Sequence, residues 1–129
     1  MTENLADLMP FSKLMGIQIT EATKEKVSGS LTVRPDLCTT NNIMHGGAMM
    51  AFADTMGAIA ASLNLPEGAN GTTTIESKTN FLRAAPEGST ITAETTPVNV
   101  GRRLSVWQTK LMREDGKPVA VITQSQMVL

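Results

Sequence analysis

The segment from Gly46 to about Asn64 is the feature that most limits what this chain can fold into. Nearly every residue in it is Ala, Met, Ile, Phe, Leu or Gly, and Pro66 follows shortly after. This composition predicts a single helix that ends before the proline. Because a helix that is apolar all round is a core element, the rest of the chain must surround it.

The segments on both sides of this helix have the pattern of β-strands. GIQITEAT and VSGSLTVRP precede it, and apolar and polar residues alternate in the second of them. Four segments rich in Thr, Val and Ile follow it, separated by turn residues: TTTIESKTNFLRAAP, STITAETTPVNVG, RLSVWQTKLMRED and KPVAVITQSQMVL. We therefore predict an α+β fold, in which a curved antiparallel sheet, largely a meander, wraps around one long central helix.

The length of 129 residues suits a single domain, so we expect residues 1–129 to form one unit. Eleven basic residues balance twelve acidic ones, which favours neither disorder nor a nucleic-acid partner.

A lone Cys38 and a lone His45 exclude an internal disulfide and are too few for a typical zinc site. The first residues, MTENLADLMPFSK, are acidic and contain Pro10, which predicts a short packed helix and not a signal peptide or membrane span. We expect a cytoplasmic protein without a metal or cofactor.

Asp54 is the one carboxylate in the apolar helix. A buried carboxylate is costly unless hydrogen bonds or charges compensate it. Asp54 therefore either caps a loop amide, faces water at a subunit seam, or belongs to a functional site. Perturbed carboxylates cluster at such sites without being confined to them.

His45 lies directly before Gly46 and Gly47, where the predicted helix begins. The N–H groups of a helix start lack intrahelical partners, so glycine there leaves the backbone open to a polarised carbonyl. The alternative is that the glycines only allow a tight turn and close packing.

His45 and Asp54 are nine positions apart. On an ideal helix this separation means about 13 Å of rise and about half a turn of rotation. The two side chains cannot meet within one chain. Either they are unrelated, or a symmetric dimer brings the helix start of one subunit to Asp54 of the other.

Three segments, HGGAMMAFADTMG, TTTIESKTNFLRAAPEG and VNVGRRLSVWQTKLMREDGKPVA, resemble the acyl-CoA thioesterases of the hot-dog fold. The resemblance is to the phenylacetate-pathway and 4-hydroxybenzoyl-CoA thioesterase-like group, and it extends from about Pro10 to Val128. It implies hydrolysis of an acyl-CoA by a homodimer at least, commonly a homotetramer, without a cofactor.

The resemblance also implies roles for individual residues. The N–H of Gly46, in the loop that contains His45, would polarise the thioester carbonyl. Asp54 would act as general base or nucleophile from the facing subunit. Thr74, or Thr73 in its place, would help to hold the attacking water.

The loop departs from the family pattern at two positions. Thr39 stands where the family often has Asn or Gln, and Asn42 stands at the usual glycine three residues before His45. Two alternatives remain for the Asn or Gln that the family has in this loop. Asn41 or Asn42 takes over its role, or this polar residue is missing. Gly47 is expected to lie beside the substrate.

Basic residues near the predicted sheet edge are candidates for contact with coenzyme A: Arg83, Arg102 and Arg103. The alternative is that these are solvated turn residues. Four methionines flank the motif and form either an adaptable acyl pocket or ordinary core: Met44, Met49, Met50 and Met56.

Three other functions fit the residues less well. The hot-dog enoyl-CoA hydratases have an Asp where this chain has Thr40, which disfavours hydration. Nothing in the sequence marks Cys38 as an activated thiol, which disfavours a nucleophile pair of Cys38 and His45. A non-catalytic acyl-CoA-binding or regulatory domain would not need Asp54. The sequence does not distinguish among aryl, phenylacetyl and short or medium aliphatic acyl groups.

Overall fold

The computed structural model describes residues 3–129. Two α-helices lie in this part of the chain, α1 at Pro10–Met15 and α2 at Gly46–Leu63. The strands are β1 Gln18–Ala22, β2 Val27–Thr32, β3 Cys38–Thr39, β4 Ile43–Met44, β5 Thr72–Phe81, β6 Thr90–Val100, β7 Leu104–Met112 and β8 Pro118–Val128. The predicted long helix and the predicted strands are therefore confirmed. The majority of their ends agree within two residues, and β2, β5 and β7 end earlier than the predicted segments.

The six longer strands form one antiparallel sheet in the order β1-β2-β6-β7-β8-β5. Strands β6, β7 and β8 are the expected meander. Strand β5 does not continue it toward β6, because it pairs with β8, from Thr72 opposite Val128 to Phe81 opposite Ala120. The strand that follows α2 is therefore one edge of the sheet, and β1 is the other.

The core lies between α2 and the sheet. Helix α2 packs against β2 and β5 to β8, and Phe52 and Trp107 are completely buried between the two layers. In β2 the predicted alternation is observed, with Val27 and Leu31 buried and Ser28 partly exposed. One long helix against an antiparallel sheet confirms the predicted α+β class and the hot-dog arrangement that the resemblance implies.

The predicted amino-terminal helix is also observed as α1. It is tied to α2 by a buried hydrogen bond of 2.6 Å between the hydroxyls of Ser12 and Thr55. Among residues 3–129, neither helix is long and apolar enough to cross a lipid bilayer.

One face of α2 is uncovered, which corrects the expectation of a helix enclosed on all sides. Gly47, Met50 and Asp54 are exposed, and their spacing of three and four residues puts them on one side of the helix. The sequence could not reveal this, because an apolar helix face suits a subunit interface as well as a core. Asp54 is therefore exposed in the single chain, which agrees with the alternative of a carboxylate that faces water.

Candidate active site

The start of α2 is capped by His45. Its backbone is extended, with φ −62° and ψ 136°, and the Gly47 N–H donates to the His45 Nδ1 at 2.8 Å. A neutral imidazole whose Nδ1 accepts a hydrogen bond carries its proton on Nε2. The cap therefore leaves an Nε2–H donor at the helix start.

Gly46 carries the unpaired N–H of the first turn. The next three N–H groups are satisfied by His45: Gly47 bonds to its ring, and Ala48 and Met49 bond to its carbonyl at 2.9 and 3.1 Å. Within residues 3–129, the Gly46 N–H has no hydrogen-bond partner. The Phe81 ring of β5 lies beside it, since a Cβ on Gly46 would be 3.1 Å from the Phe81 Cε1. Within the described residues, the helix start thus offers one free backbone donor, next to the end of the edge strand.

Asn41 and Asn42 form the turn between β3 and β4 that leads into His45. Both have a left-handed backbone, with φ of 66° and 56°. This region favours glycine, and asparagine tolerates it better than most other residues. Asn42 therefore has a backbone conformation that glycine also favours, and this observation assigns no role to its side chain.

Asp54 and Thr74 are held together across the seam between α2 and β5. The Thr74 hydroxyl donates to the Asp54 Oδ1 at 2.7 Å. Thr73 directly precedes Thr74 in β5 and points to the opposite face of the sheet. Of the two threonines considered from the sequence, Thr74 is the one in contact with Asp54.

The structure adds two residues that the sequence reasoning missed. Gln124 and Gln126 of β8 are completely buried, and Gln126 donates to the Thr74 hydroxyl at 2.5 Å. Gln126 also donates to Gln124 at 2.6 Å. The signal was present in the alternation of β8, which places both amides on the same face as the buried Ile122.

The single chain does not bring His45 and Gly46 to Asp54. Asp54 is eight residues beyond Gly46 in α2, which corresponds to about 12 Å along the helix axis. Each group has partners of its own, Gly47 for His45 and Thr74 for Asp54. One chain thus holds the two groups in separate places.

The three candidate arginines do not lie together. Arg102 and Arg103 line an open groove of about 520 Å³ at the β6–β7 turn. Arg83 lies at the other end of β8, where its Nη1 donates to the Pro118 carbonyl at 3.0 Å. Because β8 extends from Pro118 to Val128, Arg83 and Arg103 of one chain cannot bind the same phosphate.

A second groove, of about 320 Å³, opens beside the helix start. It lies between α1 and the beginning of α2 and is mostly apolar; its lining residues are Phe11, Leu14, Met15, Arg34, Asp36, Leu37, Cys38, His45, Gly47 and Ala48. Three of the four methionines near the motif do not reach a groove, because they are buried in the core: Met44, Met49 and Met56.

Cys38 lies in this second groove near His45. Its pKa is raised, first by partial burial and then by the negative charges of Glu87 and Asp36. The thiolate is the nucleophilic form of cysteine, so these surroundings disfavour it. The structure therefore gives no support to a Cys38 and His45 nucleophile pair.

The cap at His45 leads to a prediction about stability. Replacing an N-cap side chain by alanine costs about 1 kcal/mol, so His45→Ala should lower the melting temperature by about 4 °C. His45→Asn should melt within about 1 °C of the unaltered protein, because asparagine is also a good N-cap. Thermal denaturation followed by circular dichroism measures both. Equal losses in the two variants would show that the cap does not stabilise α2.

Comparisons with known proteins show the family and the fold of this chain. The sequence profile of the thioesterase superfamily matches residues 41–120. A 1,4-dihydroxy-2-naphthoyl-CoA thioesterase from Arabidopsis thaliana is 29% identical over 101 residues, which cover 78% of this chain and 63% of that protein.

Solved structures with the same fold cover almost the whole chain. A thioesterase from Haemophilus influenzae superposes with a TM-score of 0.86 at 28% identity, over 100% of this chain and 92% of that one. The E. coli PaaI protein from the phenylacetic acid degradation operon superposes with a TM-score of 0.87 at 22% identity, over 95% and 86% of the two chains. The second likeness concerns the fold alone.

Proposed function

From the premise that this chain belongs to the thioesterase superfamily, we propose that it hydrolyses an acyl-CoA thioester to the free acid and coenzyme A. The site is shared by two subunits. Gly46 and His45 come from one chain, and Asp54 and Thr74 come from the other. The proposal rests on two groups that one chain holds apart: the N–H of Gly46, which has no partner within residues 3–129, and the exposed carboxylate of Asp54. Each group is one half of the proposed site, which we call a half-site.

The two edges of the sheet support this assembly. The β1 edge is short and is covered at its start, because the Asn4 side chain accepts from the Ile19 N–H at 2.9 Å and donates to the Ile17 carbonyl at 2.7 Å. Strand β5 is paired only on its β8 side within residues 3–129. Its Ile75 is 51% exposed. A long open edge with exposed apolar side chains favours pairing with another strand.

Pairing of β5 with its copy in a second chain would complete the site. In an antiparallel pair centred on the middle of the strand, Phe81 of one chain lies opposite Thr72 of the other. Gly46 lies against Phe81, and Asp54 contacts Thr74 two residues from Thr72. The free N–H of one subunit would then approach the carboxylate of its partner.

The chemistry needs few groups. The Gly46 N–H stabilises the negative charge that develops on the carbonyl oxygen, an effect worth roughly 3 kcal/mol. Asp54 either attacks the carbonyl carbon or removes a proton from a water that attacks it. The carbon–sulfur bond breaks, and the thiolate leaves without a strong general acid, because a thiol has a pKa of about 8.5. If Asp54 attacks first, water then hydrolyses the mixed anhydride.

The two grooves suit the two ends of the substrate. The apolar groove of about 320 Å³ next to His45 fits the acyl group. The groove that contains Arg102 and Arg103 fits the phosphates of coenzyme A. In the paired assembly, Arg83 of one subunit would approach the same end of the site as Arg102 and Arg103 of the other.

Release of free thiol from a panel of acyl-CoAs, followed with a thiol reagent, tests the function. Aryl, phenylacetyl and short or medium aliphatic acyl groups belong in the panel, together with a charged acyl group as control. We expect turnover of at least one apolar acyl-CoA and none of the charged one. Binding of acyl-CoAs without hydrolysis of any would instead indicate a non-catalytic binding or regulatory domain.

The assembly is a separate prediction. Light scattering should find a dimer at least, and the resemblance implies pairing of dimers into tetramers. Ile75→Lys on β5 should weaken the dimer and lower hydrolysis in proportion, because lysine on an edge strand opposes pairing. Thr20→Lys, the matched change on the exposed surface of β1, should do neither. A fully active monomer at assay concentrations would contradict the shared site.

A further inference from the structure

We propose that Gln124 and Gln126 are positioning residues, which direct the only hydroxyl proton of Thr74 to Asp54. This inference rests on the proposed function, in which Asp54 acts on the thioester. Its basis is a chain of hydrogen bonds through four side chains, whose direction is determined from one end to the other.

The donor and acceptor of each hydrogen bond follow from the first one, which Gln124 makes to the carbonyl of Ala53 in α2. The Gln124 side-chain atom that lies 2.9 Å from this carbonyl must be the Nε2, because a carbonyl oxygen only accepts hydrogen bonds. The Gln124 Oε1 must therefore point the other way. Gly57 makes the approach possible, since a Cβ at this position would overlap the Gln124 carboxamide.

Gln126 is oriented by Gln124. The Gln126 atom that lies 2.6 Å from the Gln124 Oε1 must be its Nε2, because two carbonyl oxygens cannot bond to each other. The second proton of this Nε2 is donated to the Thr74 hydroxyl oxygen. On the other side, the Gln126 Oε1 faces the Thr72 hydroxyl at 3.0 Å, and the single proton of this hydroxyl is shared with the Met127 carbonyl, also at 3.0 Å.

The Thr74 hydroxyl then has one acceptor left for its proton. Its hydroxyl oxygen already accepts from Gln126, so its only proton is donated to the Asp54 Oδ1. One carboxylate oxygen is thereby occupied, and the carboxylate is held in one orientation on the seam. The Asp54 Oδ2 has no hydrogen-bond partner within residues 3–129, which leaves it for substrate or water.

Stability alone does not explain this arrangement. Both glutamines are completely buried, where apolar side chains of similar size would be cheaper. Replacing both partners of a buried hydrogen bond by apolar groups is often neutral or stabilising. The Ala53 carbonyl would keep its place in the helix ladder, and the Thr72 hydroxyl would keep the Met127 carbonyl as its acceptor. The double replacement therefore leaves no new unpaired donor.

The test is the double variant Gln124→Met with Gln126→Met, examined with and without Thr74→Val. With Thr74 present, kcat for an acyl-CoA substrate should fall about three- to tenfold, as for the loss of one positioned hydrogen bond, while KM changes less than about twofold. The melting temperature should not fall. In the Thr74→Val protein the same two replacements should leave kcat unchanged, because the glutamines act through Thr74.

Thr109→Val is the matched control for loss of a buried polar group. It removes a hydrogen bond of 2.7 Å between the hydroxyls of Thr95 and Thr109, which has no connection to Asp54. This variant should lower the melting temperature and leave kcat unchanged. An unchanged kcat in the double-methionine variant, or an equal loss in the Thr74→Val protein, would overturn the inference.

A measurement on the ligand-free protein separates this inference from the proposed function. In NMR spectra, Thr74→Val should shift the Nε2 signals of Gln126, and Thr109→Val should not. Unshifted signals would overturn the orientation of Thr74 whatever the activity. If the signals shift but the unaltered protein hydrolyses no acyl-CoA, the proposed function fails, and with it the catalytic purpose of the orientation.

Discussion

Asp54→Asn should lower kcat by two or more orders of magnitude, the scale of losing a general base or nucleophile. Asparagine has nearly the same shape and keeps an acceptor for the Thr74 hydroxyl, but it can neither attack the thioester nor take a proton from water. The side chain is exposed in the single chain, so the fold does not depend on its charge. We expect the variant to melt no lower than the unaltered protein and to keep its assembly.

Asp7→Asn is the matched control. Asp7 is also an exposed carboxylate, which accepts a hydrogen bond from Asn4 at 3.1 Å far from the seam between α2 and β5. Its loss should leave kcat within about twofold, as for most surface changes. Steady-state hydrolysis of the best acyl-CoA of the panel measures both variants. Near-normal hydrolysis by Asp54→Asn would remove Asp54 from the mechanism.

Gly46→Pro should lower kcat by about 10² to 10³, which is the cost of removing one oxyanion donor. Proline lacks the N–H, but it is well tolerated at the first position of a helix. The extended backbone of His45, with ψ 136°, is the conformation that a residue before proline prefers. No existing hydrogen bond is lost, since the Gly46 N–H has no partner within residues 3–129.

Gly46→Ala controls for the bulk of the new side chain. It places a Cβ against the Phe81 ring, as proline does, but it keeps the N–H. Phe81 is 54% exposed and has room to move, so this variant should lose less than about tenfold in kcat. Equal losses for alanine and proline would show that the contact with Phe81, and not the donor, is what the reaction needs.

The elements of the fold were largely predictable, and their arrangement was less so. Alternation in β2 and the apolar run of α2 depend on local periodicity, which a sequence displays directly. The position of β5 beside β8 depends on pairing between distant segments, which no local pattern encodes. The exposed face of α2 was missed because Met50 and its apolar neighbours suit a core and an interface equally well.

The site was predictable where spacing alone decides the geometry. The separation of nine positions between His45 and Asp54 predicts that the two side chains do not meet within one chain, and the structure keeps them apart. The cap formed by His45 depends on a rotamer, and the left-handed backbone of Asn42 depends on a turn, so neither could be read from composition. Gln124 and Gln126 could not be assigned from the sequence, because an amide in a strand is ordinary until its spatial neighbours are known.

Subunit exchange between Gly46→Pro and Asp54→Asn chains tests the shared site most directly. Each variant alone forms dimers in which both sites are damaged. In a mixed dimer the two-fold axis places both changes in one site and leaves the other intact. With random exchange half of the dimers are mixed, so we predict recovery to about a quarter of the unaltered activity if the sites are independent. Two inactive variants that stay inactive after verified exchange would mean that Gly46 and Asp54 act within one chain, which would contradict the account.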